Sequence, residues 1–169
     1  IATCEYHGID IETIKKSLKS FTGASRRLEY KGEINSCTII DDYAHHPQEL
    51  AASITSIKEI YPGRKLCAIF QPHLFSRTND FYREFAQSLS MADSVILLPI
   101  YPARELPIEG VTSELILDLI SHNQKKIVEK GELMEELRKR EFDILVTFGA
   151  GDIDRFVEPI ENLLKERYV

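Results

Sequence analysis

Asp41-Asp42-Tyr43-Ala44-His45-His46-Pro47 sets two carboxylates, a phenol and two imidazoles directly behind the apolar run Cys37-Thr38-Ile39-Ile40. Side chains of these types at a strand end can ligate a metal, move a proton or contact a nucleotide, and loops there commonly carry such chemistry. Capping of a following helix by Asp42 or His46 explains one such residue, but not five together. Two readings stay open on these residues. One is metal ligation by Asp41, Asp42, His45 and His46, giving a hydrolase whose further ligands would come from Asp93 or Asp152. The other is contact with a substrate or nucleotide without a metal.

A second group ends the next apolar run: Phe70-Gln71-Pro72-His73-Leu74-Phe75-Ser76-Arg77-Thr78. Neighbouring parallel strands carry their carboxyl ends side by side, so His73 and Arg77 are expected to face the same crevice as Tyr43 and His45. A guanidinium in such a place suits a carboxylate, which it grips through two parallel hydrogen bonds. Tyr101-Pro102-Ala103-Arg104-Glu105-Leu106-Pro107 follows a further strand, and its prolines are explained by loop shape. Gly149-Ala150-Gly151-Asp152 precedes the last helix, where backbone N–H groups can receive an anion. It is too short for a dinucleotide fingerprint, no G-x-x-x-x-G-K-S/T occurs, and a tight strand-to-helix turn accounts for it.

The elements that must position these groups follow from periodicity. Apolar residues at 11, 14 and 18 predict an amphipathic helix, ended by Phe21-Thr22-Gly23-Ala24-Ser25. Arg26-Arg27 and the short run Leu28-Glu29-Tyr30 then read as a hinge, with a turn over Lys31-Gly32-Glu33-Ile34-Asn35-Ser36. A boundary is expected near residues 24–33. A lone helix ahead of it cannot bury its own apolar face, so it is expected to belong to a neighbouring domain outside this chain. Beyond the boundary, Pro47 opens a helix with Leu50, Ile54, Ile57 and Ile60 on one stripe, stopped by Tyr61-Pro62-Gly63. Strands are then expected at 65–70, 94–98, 126–128 and 143–148, with helices at 78–91, from 112–113 onward, at 131–140 and at 153–168. This alternation predicts an α/β fold, a Rossmann-like doubly wound, mostly parallel sheet of about six strands with helices on both faces.

Composition narrows the function classes. The 169 residues, 43% hydrophobic and 28% charged, suit one globular unit of ordinary size. With 21 Lys and Arg against 27 Asp and Glu, the net charge of −6 argues against a nucleic-acid partner, whose phosphates need clustered cations. No apolar run approaches the roughly 20 residues of a membrane helix, and the N-terminus lacks a signal-peptide layout. A cytoplasmic chain without membrane partner is therefore expected. Cys4, Cys37 and Cys67 are scattered and odd in number, which fits reduced thiols without a role.

The segments at 41–47, 70–78, 101–108 (Tyr-Pro-Ala-Arg-Glu-Leu-Pro-Ile) and 149–153 (Gly-Ala-Gly-Asp-Ile), in this order, resemble the C-terminal domain of the Mur ligases. Ser25-Arg26-Arg27-Leu28-Glu29 is similar to the family's interdomain linker, with Leu28 in place of the usual phenylalanine. The resemblance implies residues 1–24 as the end of a central ATPase domain, 25–33 as linker and 34–169 as the C-terminal domain. It also implies an ATP-dependent amide-forming ligase of peptidoglycan synthesis. In that reaction ATP phosphorylates the muramoyl carboxylate, and an amine attacks the acyl phosphate through a tetrahedral intermediate. The pattern is most similar to the branch that joins L-alanine to UDP-N-acetylmuramate. The branch that adds a murein tripeptide shares the Asp-Asp-aromatic-Ala-His-His-Pro stretch but differs in the later Pro-His-x-x-x-Arg segment.

By the same resemblance, ATP and Mg2+ are held mainly by the central domain, this domain supplies no metal ligand, and the fragment alone is inactive. Arg27 matches the arginine that approaches the γ-phosphate, and Asp42 the acidic residue near the nucleotide ribose. Tyr43, His45, His73 and Arg77 match the lining of the L-alanine pocket. Arg77 would hold the carboxylate, while His45 or His73 accepts a hydrogen bond from the amine or removes its proton. Asp41 and His46 are left with supporting or capping roles.

Overall fold

The computed structural model describes residues 1–166. Strands β1 (Glu29–Ile34), β2 (Cys37–Asp42), β3 (Leu66–Phe70), β4 (Ser94–Leu97), β5 (Lys125–Ile127) and β6 (Ile144–Phe148) form one sheet in the order β1-β2-β6-β3-β4-β5. Only β1 runs antiparallel; the other pairings are parallel. Helix α3 (Pro47–Ile60) follows β2, α4 (Phe75–Leu89) follows β3, and the single turn α5 (Glu114–Leu117) lies between β4 and β5. Helix α6 (Leu133–Arg138) precedes β6 and α7 (Val157–Glu166) follows it. At the N-terminus lie α1 (Ala2–Tyr6) and α2 (Ile11–Ser20). The expected doubly wound α/β sheet with helices on both faces is therefore the observed fold.

Alternation along each buried strand divides the core. Ile40, Ala68, Phe70, Val95, Val146 and Phe148 face Leu50, Ile54 and Ile57 of α3 and Phe85 and Leu89 of α4. Ile39, Cys67, Ile69, Ile96 and Leu145 face Leu133 and Leu137 of α6 and Ile160, Leu163 and Leu164 of α7. Burial on both faces is why β2, β3 and β6 read as unbroken apolar runs. The cysteines are free thiols, with Cys37 and Cys67 buried. Among the described residues no helix is long and apolar enough to cross a membrane.

Several boundaries differ from the expectation. The segment read as hinge and turn is strand β1, an edge hairpin partner of β2 with an irregularity between Tyr30 and Gly32. An edge strand needs only one apolar face and tolerates the charges and glycine that made it look like loop. Its turn is confined to Asn35 and Ser36, with φ +51° and +64°, as a type I′ hairpin requires. Helix α4 starts at Phe75 rather than 78, and the helix expected from 112–113 is a four-residue turn. The 131–140 helix divides into a 3-10 turn (Lys130–Glu132) and α6. The 153–168 helix divides into a 3-10 turn (Ile153–Phe156) and α7; its last two positions, 167–168, lie outside the described residues.

Leu50 is fully buried between α3 and the sheet, whereas Ile60 on the same expected stripe is 64% exposed. Leu50→Ala is expected to cost about 2–5 kcal/mol in urea unfolding, and Ile60→Ala less than about 0.5 kcal/mol. Equal losses would contradict this packing.

Candidate functional site

Strands β3 and β6 are neighbours, yet β3 leads into α4 on one face of the sheet and β6 into α7 on the other. A crevice opens at the carboxyl ends where successive connections part in this way. Sequence reasoning treated the strands before His45 and His73 as adjacent, but β6 lies between them, which separates β2 from β3 by about 10 Å. The loops still meet because β6 ends in glycines. A Cβ at Gly149, where φ is +148°, would come 2.9 Å from the Gln71 carbonyl oxygen. One at Gly151 would come 2.5 Å from Gln71 Oε1 and 2.7 Å from Tyr101 Cγ. Across this bare turn the rings of His45 and His73 stand 6.0 Å apart.

Four half-buried side chains converge here. Tyr43 meets His45 edge-on at 5.3 Å, and His45 Nδ1 lies 2.9 Å from the Tyr43 carbonyl. A carbonyl only accepts, so Nδ1 is the donor in this contact and Nε2 is left facing the crevice. His73 is stacked on Tyr101, with ring centroids 5.7 Å apart and planes within 13°. Arg77, in the first turn of α4, brings Nη1 to 3.4 Å from His73 Nδ1. Burial first, then the charges of Arg77 and His45, hold the His73 imidazole below the ordinary histidine range, against an opposing pull from Glu105. His73 is therefore neutral at pH 7.

The remaining sequence candidates are engaged differently. Asp41 is buried, accepts Thr147 Oγ1 at 2.6 Å and pairs with Arg26 Nε at 3.1 Å. Arg26 also donates Nη2 to the Gly149 carbonyl at 2.7 Å and lies 3.6 Å from Asp154. Sequence reasoning did not single out Arg26, since nothing in Arg26-Arg27 marks which guanidinium turns inward. Arg27 is exposed, its guanidinium 5.3 Å from the Tyr43 ring centroid, while that of Arg26 lies at 5.0 Å. Asp42, expected at a nucleotide, is 4% exposed and turned into the fold: it accepts the Ala44 N–H at 3.0 Å and Ser53 Oγ at 2.6 Å. His46 takes the N-cap position of α3 with its ring against Phe81, and the Glu49 carboxylate accepts its N–H and that of His45.

The acidic and imidazole groups of the hydrolase reading thus do not share a centre. Asp152 pairs with Lys130 at 2.6 Å and accepts Gln71 Nε2 at 2.9 Å, and Asp93 caps the opposite end of the sheet at the Leu66 N–H. Among the described residues no three His, Cys, Asp or Glu side chains gather as metal ligands.

The family model "Mur ligase, glutamate ligase domain" matches residues 26–153. The chain belongs to the Mur ligase family. The Mur ligase domain is 52% identical over 163 residues to the UDP-N-acetylmuramate-L-alanine ligase of Cytophaga hutchinsonii, covering 96% of this chain and 35% of that protein. It is 50% identical over 166 residues to the enzyme of that name from Porphyromonas gingivalis, covering 98% and 36%. The chain spans about a third of the length of the curated relatives it matches. The crystal structure of UDP-N-acetylmuramate-alanine ligase from Thermotoga maritima superposes with a TM-score of 0.72 at 29% identity, covering 96% of this chain and 36% of that one. A MurF ligase from the same organism, in complex with ADP, shares the fold at 18% identity and a TM-score of 0.67, covering 98% and 37%.

Two measurements check this geometry. Arg26→Ala, which leaves Asp41 buried without its partner, should lower stability by about 3 kcal/mol, while Arg27→Ala changes it by less than about 0.5 kcal/mol. In NMR titrations His73 should protonate below the ordinary histidine value, and Arg77→Gln should move it upward by removing a neighbouring positive charge. Titration of His73 at or above the ordinary value would contradict the packing described.

Proposed function

We propose that this chain is the C-terminal domain of a cytoplasmic, ATP-dependent ligase that joins L-alanine to UDP-N-acetylmuramate. Residues 1–24 end a central domain, 25–33 form the linker, and the remainder is the C-terminal domain. The observation that carries the reading is the convergence of Tyr43, His45, His73 and Arg77 on one crevice, in a chain 52% identical to an L-alanine ligase over most of its length. ATP and Mg2+ belong mainly to the central domain, where ATP supplies the activating phosphate for the muramoyl carboxylate.

The side chains divide the work by charge and protonation state. Arg77 holds the L-alanine carboxylate through charge-assisted hydrogen bonds. His45, with Nδ1–H committed to the Tyr43 carbonyl, offers Nε2 to take a proton from the alanine ammonium group, since only the free amine attacks an acyl carbon. His73 receives Arg77 at Nδ1, which leaves a proton on Nε2 to donate toward the oxygen that gains charge as the tetrahedral intermediate forms. The C–N bond forms, phosphate departs with its electron pair, and the surplus proton left on the attacking nitrogen goes to the departing phosphate, while the proton first taken by His45 passes to solvent. Arg27, exposed beside the Tyr43 ring, suits a phosphate of the nucleotide, where a fixed cation offsets charge during phosphoryl transfer. Asp42 acts on that side only through the backbone it holds, because its carboxylate is committed to Ala44 and Ser53.

In the full-length enzyme, phosphate release should require UDP-N-acetylmuramate and L-alanine together, and the 169-residue chain alone should show no turnover. Arg77→Ala should raise the KM for L-alanine by about 10- to 100-fold with the KM for ATP unchanged. Arg27→Ala should lower kcat and leave the L-alanine KM in place. Turnover supported only by a murein tripeptide would overturn the assignment.

A further inference from the structure

The loop between β4 and the single turn α5 belongs to none of the groups assigned so far, yet it touches the pocket at two points. Its residue Tyr101 is bound to the segment after β3 as if by a short parallel ladder: Tyr101 N–H donates to the Pro72 carbonyl at 2.8 Å, and Leu74 N–H donates to the Tyr101 carbonyl at 3.0 Å. This fixes the phenol ring flat against His73. On its other contacts the ring meets the space left by Gly151 and lies 5.7 Å from the Lys130 ammonium, itself paired with Asp152.

Four residues on, Glu105 supplies what α4 lacks. The N-cap residue of α4 is Leu74, held at φ +74°, and it has no side chain able to accept the first free N–H groups. The Glu105 carboxylate takes the Ser76 N–H at 3.0 Å and Ser76 Oγ at 2.5 Å, serving as an N-cap delivered from another loop. A turn closed by Glu105 N–H donating to the Pro102 carbonyl at 2.9 Å, with Ala103 at φ +50°, presents that carboxylate. Arg77 is the next residue of the helix turn that Glu105 pins.

We propose that Tyr101 and Glu105 are the positioning residues of the amino-acid pocket: Tyr101 sets the ring and the dryness of His73, and Glu105 sets the helix turn that aims Arg77. The inference rests on the reading of the crevice as an amino-acid site. The charged groups facing His73 are Arg77 from α4, His45 from the loop after β2 and Glu105 from this loop, with Lys130 and Asp152 beyond the Tyr101 ring. Opening the Tyr101 side to water relieves the burial that keeps His73 neutral, so its protonation moves to higher pH.

The test is steady-state kinetics of the full-length enzyme with L-alanine and ATP varied separately. Glu105→Ala should raise the KM for L-alanine at least tenfold while the KM for ATP and kcat change less than threefold. Glu105→Gln, which keeps one acceptor for Ser76, should recover most of the loss. Tyr101→Ala should shift the acid limb of kcat/KM for L-alanine upward by half a pH unit or more, and Tyr101→Phe, which keeps the ring, should shift it less. If the two KM values rise together with a fall in Tm, the loop merely supports the fold and the inference is overturned. Unmoved L-alanine KM and acid limb in these variants overturn it as well. A wild-type enzyme with no L-alanine-dependent turnover overturns the assignment of the crevice, and this inference with it.

Discussion

A side chain at residue 149 or 151 would fill the space through which the loops after β2 and β3 meet, because β6 stands between those strands and its turn passes against Gln71 and Tyr101. The two histidine-bearing loops start about 10 Å apart and can share a ligand only across a backbone with nothing projecting from it. The glycine pair therefore does more than turn the chain. It brings Tyr43 and His45 on one side into the same crevice as His73, Arg77 and Tyr101 on the other.

The adjacent cations Arg26 and Arg27 show how position decides the use of a charge. Arg26 is drawn inward by Asp41, Asp154 and the Gly149 carbonyl, and it holds the segment ahead of β1 in a path with left-handed backbone at Arg26 and Leu28. Such a path costs about 1 kcal/mol or more per residue and persists because the buried ion pair over-determines it. Arg27 is left outside by the same path. Since both guanidiniums lie close to the Tyr43 ring, and the Tyr43 N–H donates to the Arg26 carbonyl at 2.7 Å, the segment ahead of β1 and the crevice share one side chain.

Much of the architecture was legible along the chain. The unbroken apolar runs of β2, β3 and β6 and the helical stripe of α3 announced the covered sheet, since two-sided burial leaves no other pattern. Strand β1 was not legible, because an exposed edge carries charges and a glycine as readily as a loop does. The early start of α4 was hidden for a different reason: its cap, Glu105, is 29 residues away from Ser76. Arg26 was passed over because its acceptors come from β2, the turn after β6 and the 3-10 turn beyond it, none of which is near in sequence.

Residue type and spacing alone determined the kind of fold, the two strand-end loops whose side chains are candidates for chemistry, and a resemblance specific enough to name a family. Those properties are local: a strand end, a helix start and a short motif are each written in consecutive residues. Tertiary structure alone decided that Asp42 faces inward and not outward, that His45 Nδ1 meets the Tyr43 carbonyl, that burial and Arg77 hold His73 below the ordinary histidine range, and that Tyr101 and Glu105 reach the crevice. Each of these depends on strand order and on which distant groups a side chain meets, and the interaction energy of two charges or rings follows their distance in space, not their separation along the chain.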